Sequence, residues 1–163
     1  LVDFNHEIGS KAVEQFLSNK TANYKFIAKR FNDIFYKIYD YNHLGTKSKQ
    51  ITKLINYIKS YKVATKYHKI DFQWSREIWL KMLSDKYNIR LTDKQVMRAT
   101  EEYWNMIIDK SKIYPDARKF LTNTMNSNNE VFIVAGSDRR VILKGGKIYY
   151  RPNFLTGKEF IEQ

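Results

Sequence analysis

Proline occurs at only two of 163 positions, Pro115 and Pro152, so no proline interrupts a helix in the first 110 residues, which read as nearly continuous helix. Apolar residues in that region recur at helical spacing. Ile27, Phe31, Ile34, Phe35 and Ile38 fall on one face, and Ile51, Leu54, Ile55 and Ile58 make a second stripe. Ile78, Trp79, Met82 and Leu83 make a third, and Val96, Ala99, Tyr103, Met106 and Ile107 a fourth. Start signals precede several of them: Ser10 for a short helix through Leu17, Thr21 and Ser75 for later ones, and a Thr92/Gln95 capping-box pattern. Asn42 to Ser48, with Gly45, reads as a loop. Four or five amphipathic helices each need a partner for their stripe, and a bundle is the natural packing.

Beyond residue 110 the signals change. Pro115 suits the first turn of a helix carrying Ala117, Phe120, Leu121 and Met125, and Asn126-Ser127-Asn128-Asn129 breaks it. Val131 to Val134 reads as a short buried strand ending in Ala135-Gly136-Ser137-Asp138. Val141-Ile142-Leu143 and Ile148-Tyr149-Tyr150 flank Gly145-Gly146, a two-residue hairpin signal. Gly157 to Phe160 has the look of another helix start. At the other end of the chain, Leu1-Val2 runs into Asp3 and a turn at Gly9-Ser10, as a buried strand does when it offers side chains at its carboxyl edge.

Composition bounds the chemistry. There is no cysteine, hence no disulfide or thiolate metal site, and three scattered histidines do not suggest zinc. No apolar run approaches the roughly 18 residues of a membrane span, and no secretory segment opens the chain, so a cytoplasmic protein is expected. The 12 Tyr, 10 Phe and 3 Trp favour a packed globule, and Trp74, Trp79 and Trp104 are expected in the bundle core. A net charge of +12 favours polyanions: nucleic acid, phosphorylated ligands or an acidic surface. Between Lys47 and Lys69, lysines interleave with Tyr57, Tyr61 and Tyr67, a pattern able to hold single-stranded nucleic acid by charge and stacking and equally that of a solvated helix face.

The order of these segments, from Asp3 through a helical insertion to Tyr114-Pro115-Asp116, a helix, and Val131 to Asp138, resembles the haloacid dehalogenase superfamily of phosphatases and related hydrolases. The resemblance implies an α/β fold, with a partial Rossmann-like parallel-sheet core formed by residues 1–12 and 111–163. Residues 13–110 would be an inserted helical cap bundle. It also implies that Asp3 is the nucleophile, forming an aspartyl-phosphate from a phosphorylated small-molecule substrate. Mg²⁺ would be bound by Asp3 and the main-chain carbonyl of Asn5. Asn5 stands where the superfamily's phosphatases carry a second aspartate, and an amide cannot exchange that proton. Ala135 stands where a Ser or Thr is usual, with Ser137 as the substitute, and Lys158, ahead of Lys144 and Lys147, matches the phosphate-neutralising lysine. His6, Gly136 and Asp138 would lie against the substrate. Ser137 and Asp138 serve equally well as caps of a following helix. The chain ends before the superfamily's closing acidic motif and starts two residues before Asp3, which suggests a trimmed protein.

Three functions follow as expectations. One is a Mg²⁺-dependent phosphomonoester hydrolase, its activity reduced by Asn5 and Ala135. Another is a catalytically idle member whose basic surface binds nucleic acid or a partner protein. The third is a helical interaction module without an active site, expected if residues 131–134 do not join residues 1–3 in a parallel sheet.

Overall fold

The computed structural model describes residues 6–45, 48–60, 62–63, 72–127 and 141–150. Six helices dominate them: α1 (His6–Ser18), α2 (Tyr24–Leu44), α3 (Lys49–Ser60), α4 (Arg76–Lys86), α5 (Asp93–Lys110) and α6 (Pro115–Asn126). The strands are short: β1 (Lys62–Val63), β2 (Val141–Lys144) and β3 (Lys147–Tyr150). They form one sheet in the order β1-β3-β2, with β2 antiparallel to β3 over four residue pairs and β1 parallel to β3 over two.

This architecture overturns the expected α/β, Rossmann-like core. A parallel-sheet core needs several long parallel strands with helices over both faces. Here the longest pairing is a hairpin, and the body is a helical bundle onto which that hairpin packs. The stretches expected to supply the parallel strands, residues 1–3 and 131–134, lie outside the described residues. Helix α1 runs across the boundary expected between residues 12 and 13. Its buried positions Val13 and Leu17 belong to the same core cluster as Val96, Tyr103 and Ile107 of α5.

Helices α2 to α5 bury most of the stripes their sequences predict, whereas α6 buries no side chain and leaves Phe120 and Met125 exposed. Ile27, Phe31, Ile34 and Ile38 of α2, Ile51, Leu54 and Ile58 of α3, and Ile78, Trp79 and Leu83 of α4 meet in one continuous core. Val141, Leu143 and Ile148 extend it onto the inner face of the hairpin. At the centre α1 lies against α5 and α2. The contact with α5 is close because Gly9, inside α1, presents no side chain to Tyr103 and Ile107.

Helix boundaries follow local chemistry where no tertiary partner competes. The capping box forms: Thr92 Oγ1 accepts from the Gln95 amide at 3.2 Å, and the Thr92 amide donates to Gln95 Oε1 at 2.9 Å. Pro115 opens α6. The hairpin turns on Gly145 and Gly146 at φ 55° and 72°, the two left-handed residues a primed turn requires. Three other start signals are used differently. Ser10 is interior to α1, which begins at His6, and its hydroxyl donates to Asn32 Oδ1 of α2 at 3.0 Å. Asn23, not Thr21, is the N-cap of α2, and Thr21 Oγ1 accepts from the Asn23 amide. Ser75 does stand at the N-cap of α4, but its hydroxyl donates to the Glu77 carboxylate at 2.7 Å instead of capping a backbone amide. Helix α2 also runs to Leu44, three residues into the expected loop, and ends at Gly45 with φ 65°.

Candidate polyanion-binding groove

Of the residues expected to form a hydrolase site, the described structure holds only His6, Lys144 and Lys147. Asp3, Asn5, Ala135, Gly136, Ser137, Asp138 and Lys158 lie outside the described residues, and so does the adjacency of Asp3 with Ser137. His6 opens α1, with only its backbone described. Lys144 and Lys147 face each other across the hairpin turn, exposed, where the Gly145 amide donates to Asp93 Oδ2 at 3.2 Å. Among the described residues no group of three or more His, Asp or Glu side chains is placed to hold a metal ion. The expected Mg²⁺ ligands Asp3 and Asn5 are not among them.

Two features carry unusual chemistry, and the first is structural. Arg76, at the start of α4, is buried with its guanidinium carbon 4.5 Å from the Trp79 ring centroid, 5.2 Å from Trp104, 5.5 Å from Tyr103 and 5.8 Å from Phe35. Nη1 donates to the Trp74 carbonyl at 2.7 Å and Nε to Tyr103 Oη at 3.4 Å. Beside it, the buried Glu77 carboxylate accepts from Ser75 and, at 3.3 Å, from Thr100. A planar, weakly hydrated cation is the one charged group that aromatic faces can enclose at low desolvation cost. This ring of aromatics pins α4 to α2 and α5. It is the role expected for the tryptophans: Trp79 and Trp104 are buried, and Trp74 packs at the edge of the core.

The second is a surface groove of about 1030 Å³ between α2, α3 and α4. Arg30 and Lys37 come from α2, Lys49 and Lys53 from α3, and Lys86 from α4. Asp40 and Asp85 are the carboxylates on its walls, so five cations face two anions. Asp85 is already engaged: Tyr57 Oη donates to it at 2.6 Å and Lys81 Nζ at 2.8 Å. Arg30 reaches Asp33 at 3.3 Å, a partly exposed pair of the kind that contributes about 0–1 kcal/mol and is readily exchanged for another anion. Lys37, Lys49 and Lys53 make no ion pair with a described carboxylate. The excess positive charge of the groove is therefore not neutralised by its own walls.

Helical spacing sets the pattern. Lys49, Lys53 and Tyr57 stand at i, i+4 and i+8 along α3, opposite the buried Ile51, Leu54 and Ile58. Arg30 and Lys37 lie two turns apart on α2, roughly 10 Å along the axis. Of the Lys47–Lys69 stretch, the groove uses Lys49, Lys53 and Tyr57; Lys47, Tyr61 and Tyr67 are outside the described residues. Arg30, Lys37 and Lys86 were not foreseeable from that stretch. Their one sequence signal is placement off the buried stripes of α2 and α4. Across α2, Tyr36 Oη donates to Glu7 Oε1 at 3.4 Å, and desolvation followed by the Glu7 charge raises its pKa above the ordinary tyrosine value.

No family model, curated protein or solved structure matches the chain. No described helix is long and apolar enough to cross a membrane.

Proposed function

We propose that the chain binds nucleic acid through the α2–α3–α4 groove. The observation that carries this is the unneutralised row of Lys37, Lys49 and Lys53 on the groove walls, within a chain of net charge +12. A phosphate backbone supplies regularly spaced anions, and lysines without carboxylate partners release bound counter-ions when they meet it. Half-exposed walls of long, flexible side chains suit backbone contact more than recognition of one small, shaped ligand.

Binding measured by fluorescence anisotropy should weaken with salt. If three phosphates of a single strand are neutralised, log K should fall against log salt concentration with a slope near −2, about −0.7 for each phosphate. Changing Lys49→Gln and Lys53→Gln together should reduce that slope in magnitude by about 1.4 and weaken binding at low salt, with the melting temperature unchanged. Absence of binding at low salt, or an unchanged slope in the double variant, would contradict the proposal.

A second reading is phosphomonoester hydrolysis with Asp3 as nucleophile and Mg²⁺ as cofactor. It draws on the order of the sequence elements, and one of those, the Pro115 helix, occurs at the expected place. Hydrolysis of an aryl phosphate with Mg²⁺ should then be lost in Asp3→Asn. Equal rates in the two proteins would end this reading and leave the groove proposal standing.

A further inference from the structure

Nucleic acid can be held as a duplex, by its backbone, or as a single strand, which also exposes base faces. The two demand different surfaces. A duplex needs only charge at the right spacing, whereas a single strand is held by aromatic side chains that carry its unpaired bases.

One end of the groove has such a side chain. Phe26, on α2 one turn before Arg30, is 48% exposed, although it is a large apolar residue on a strongly charged surface. The Arg30 guanidinium carbon lies 5.1 Å from its ring centroid. Tyr87, the C-cap of α4, makes a T-shaped contact with it, with centroids 5.6 Å apart and planes at 82°. Lys86 Nζ in turn lies 4.9 Å from the Tyr87 ring centroid. Arg30 and Lys86, the outer members of this row, are themselves groove residues. Cation, ring, ring and cation thus follow one another along the rim, in continuity with the charged walls.

The T-shaped contact with Tyr87 matters because it holds the Phe26 ring in place at the rim. A half-exposed phenylalanine already held by a neighbouring ring loses little further freedom when a base stacks on its exposed part. Arg30 can stack beside a base or pair with a phosphate; its partner Asp33 is only a surface contact. From Phe26 to Lys37 is eleven residues of helix, roughly 16 Å. At the roughly 3.4 Å rise per nucleotide of a stacked strand, that length accommodates about four or five nucleotides.

Building on the groove proposal above, we infer that the ligand is single-stranded, with an unpaired base stacked on Phe26 beside Arg30 and the phosphates running along Lys37, Lys49 and Lys53. The test compares a labelled oligothymidylate of about twelve nucleotides with a duplex of the same length at low salt, for the native chain, Phe26→Leu and Phe26→Trp. The native chain should prefer the single strand. Phe26→Leu should weaken single-strand binding by roughly 5- to 150-fold, the range for loss of one stacked base, while duplex binding stays constant. Phe26→Trp, which keeps an aromatic face, should retain or tighten it, showing that the loss in Phe26→Leu is not a folding defect. Equal native affinity for both forms, or a Phe26→Leu protein that binds the single strand as the native chain does, overturns the inference. In either case the Lys49→Gln/Lys53→Gln salt slope still judges the groove on its own.

Discussion

Replacing Trp79 by alanine is expected to destabilise the protein by about 3–5 kcal/mol, the range for removing a large aromatic from a packed core. Trp79 is fully buried. Its ring stands edge-on to Phe31 at 5.6 Å, 6.4 Å from Trp74, and 4.5 Å from the Arg76 guanidinium. Its indole Nε1 donates to the Gln73 carbonyl at 2.6 Å. Truncation therefore does three things at one place: it opens a cavity, removes the nearest face from a buried cation, and strips a carbonyl of its indole donor. The last two add to the cavity cost, the lost indole hydrogen bond contributing about 0.5–1.5 kcal/mol. For a domain of this size each kcal/mol lowers the melting temperature by about 2–4 °C, so a fall of roughly 6–20 °C is expected by circular dichroism. Against a total stability of about 5–15 kcal/mol the variant should be close to unfolding at moderate temperature. A change of less than about 3 °C would place Trp79 outside the core.

The coupling between Trp79 and Arg76 gives that result a second reading. If the ring shields the cation, Trp79→Ala should be less costly in a background where Arg76→Leu has already removed the charge. The cycle should show an interaction of roughly 0.5–3 kcal/mol between the two positions, as residues in direct contact usually do. Zero coupling would mean that the other three rings suffice to hold the guanidinium.

What could be read in advance was what depends on neighbours in sequence. The buried stripes of α2, α3, α4 and α5, the Thr92/Gln95 box, Pro115 and the Gly145-Gly146 turn are local facts, and each formed as its residues imply. Ser10, Thr21 and Ser75 carry the same kind of cap signal, yet Ser10 and Ser75 bond to side chains, Asn32 and Glu77, and the N-cap of α2 falls two residues after Thr21. A hydroxyl cannot announce from its own sequence whether another side chain will be nearer than its backbone. The α/β expectation failed on a larger scale for the same reason. Strand-like runs at both ends and helices between them are compatible with several packings, and order along the chain does not select one. The groove lies between these cases. Lys49 and Lys53 stand on one helix and were legible as a charged face, whereas Arg30, Lys37 and Lys86 join them only because α2, α3 and α4 pack side by side.

Gly9 shows most clearly how packing reassigns a residue, and it supports the other large prediction. In sequence it reads as a turn after a strand; in the fold it is buried within α1. On an ordinary exposed helix, alanine in place of glycine would stabilise by about 1 kcal/mol. Here a Cβ would fall 2.7 Å from Ile107 Cδ1 and 2.6 Å from Tyr103 Cδ2, well inside contact distance. Tyr103 has little room to retreat: it is fully buried, edge-on to Phe31 at 5.7 Å and to Trp104 at 5.2 Å, with its hydroxyl on Arg76. The added methyl must push α1 away from α5, an overpacking cost of about 1–3 kcal/mol that exceeds the gain in helix propensity. Gly9→Ala is thus expected to lower stability in urea unfolding, and Gly9→Val, with two further methyl groups and a poorer helix preference, to lower it further. Relief is equally specific. In a Tyr103→Leu background the ring is gone, and Gly9→Ala should cost less than in the native chain, with only the Ile107 contact left to yield. If Gly9→Ala instead stabilises the otherwise native chain, α1 and α5 are farther apart than described, and the bundle that carries the groove must be packed differently.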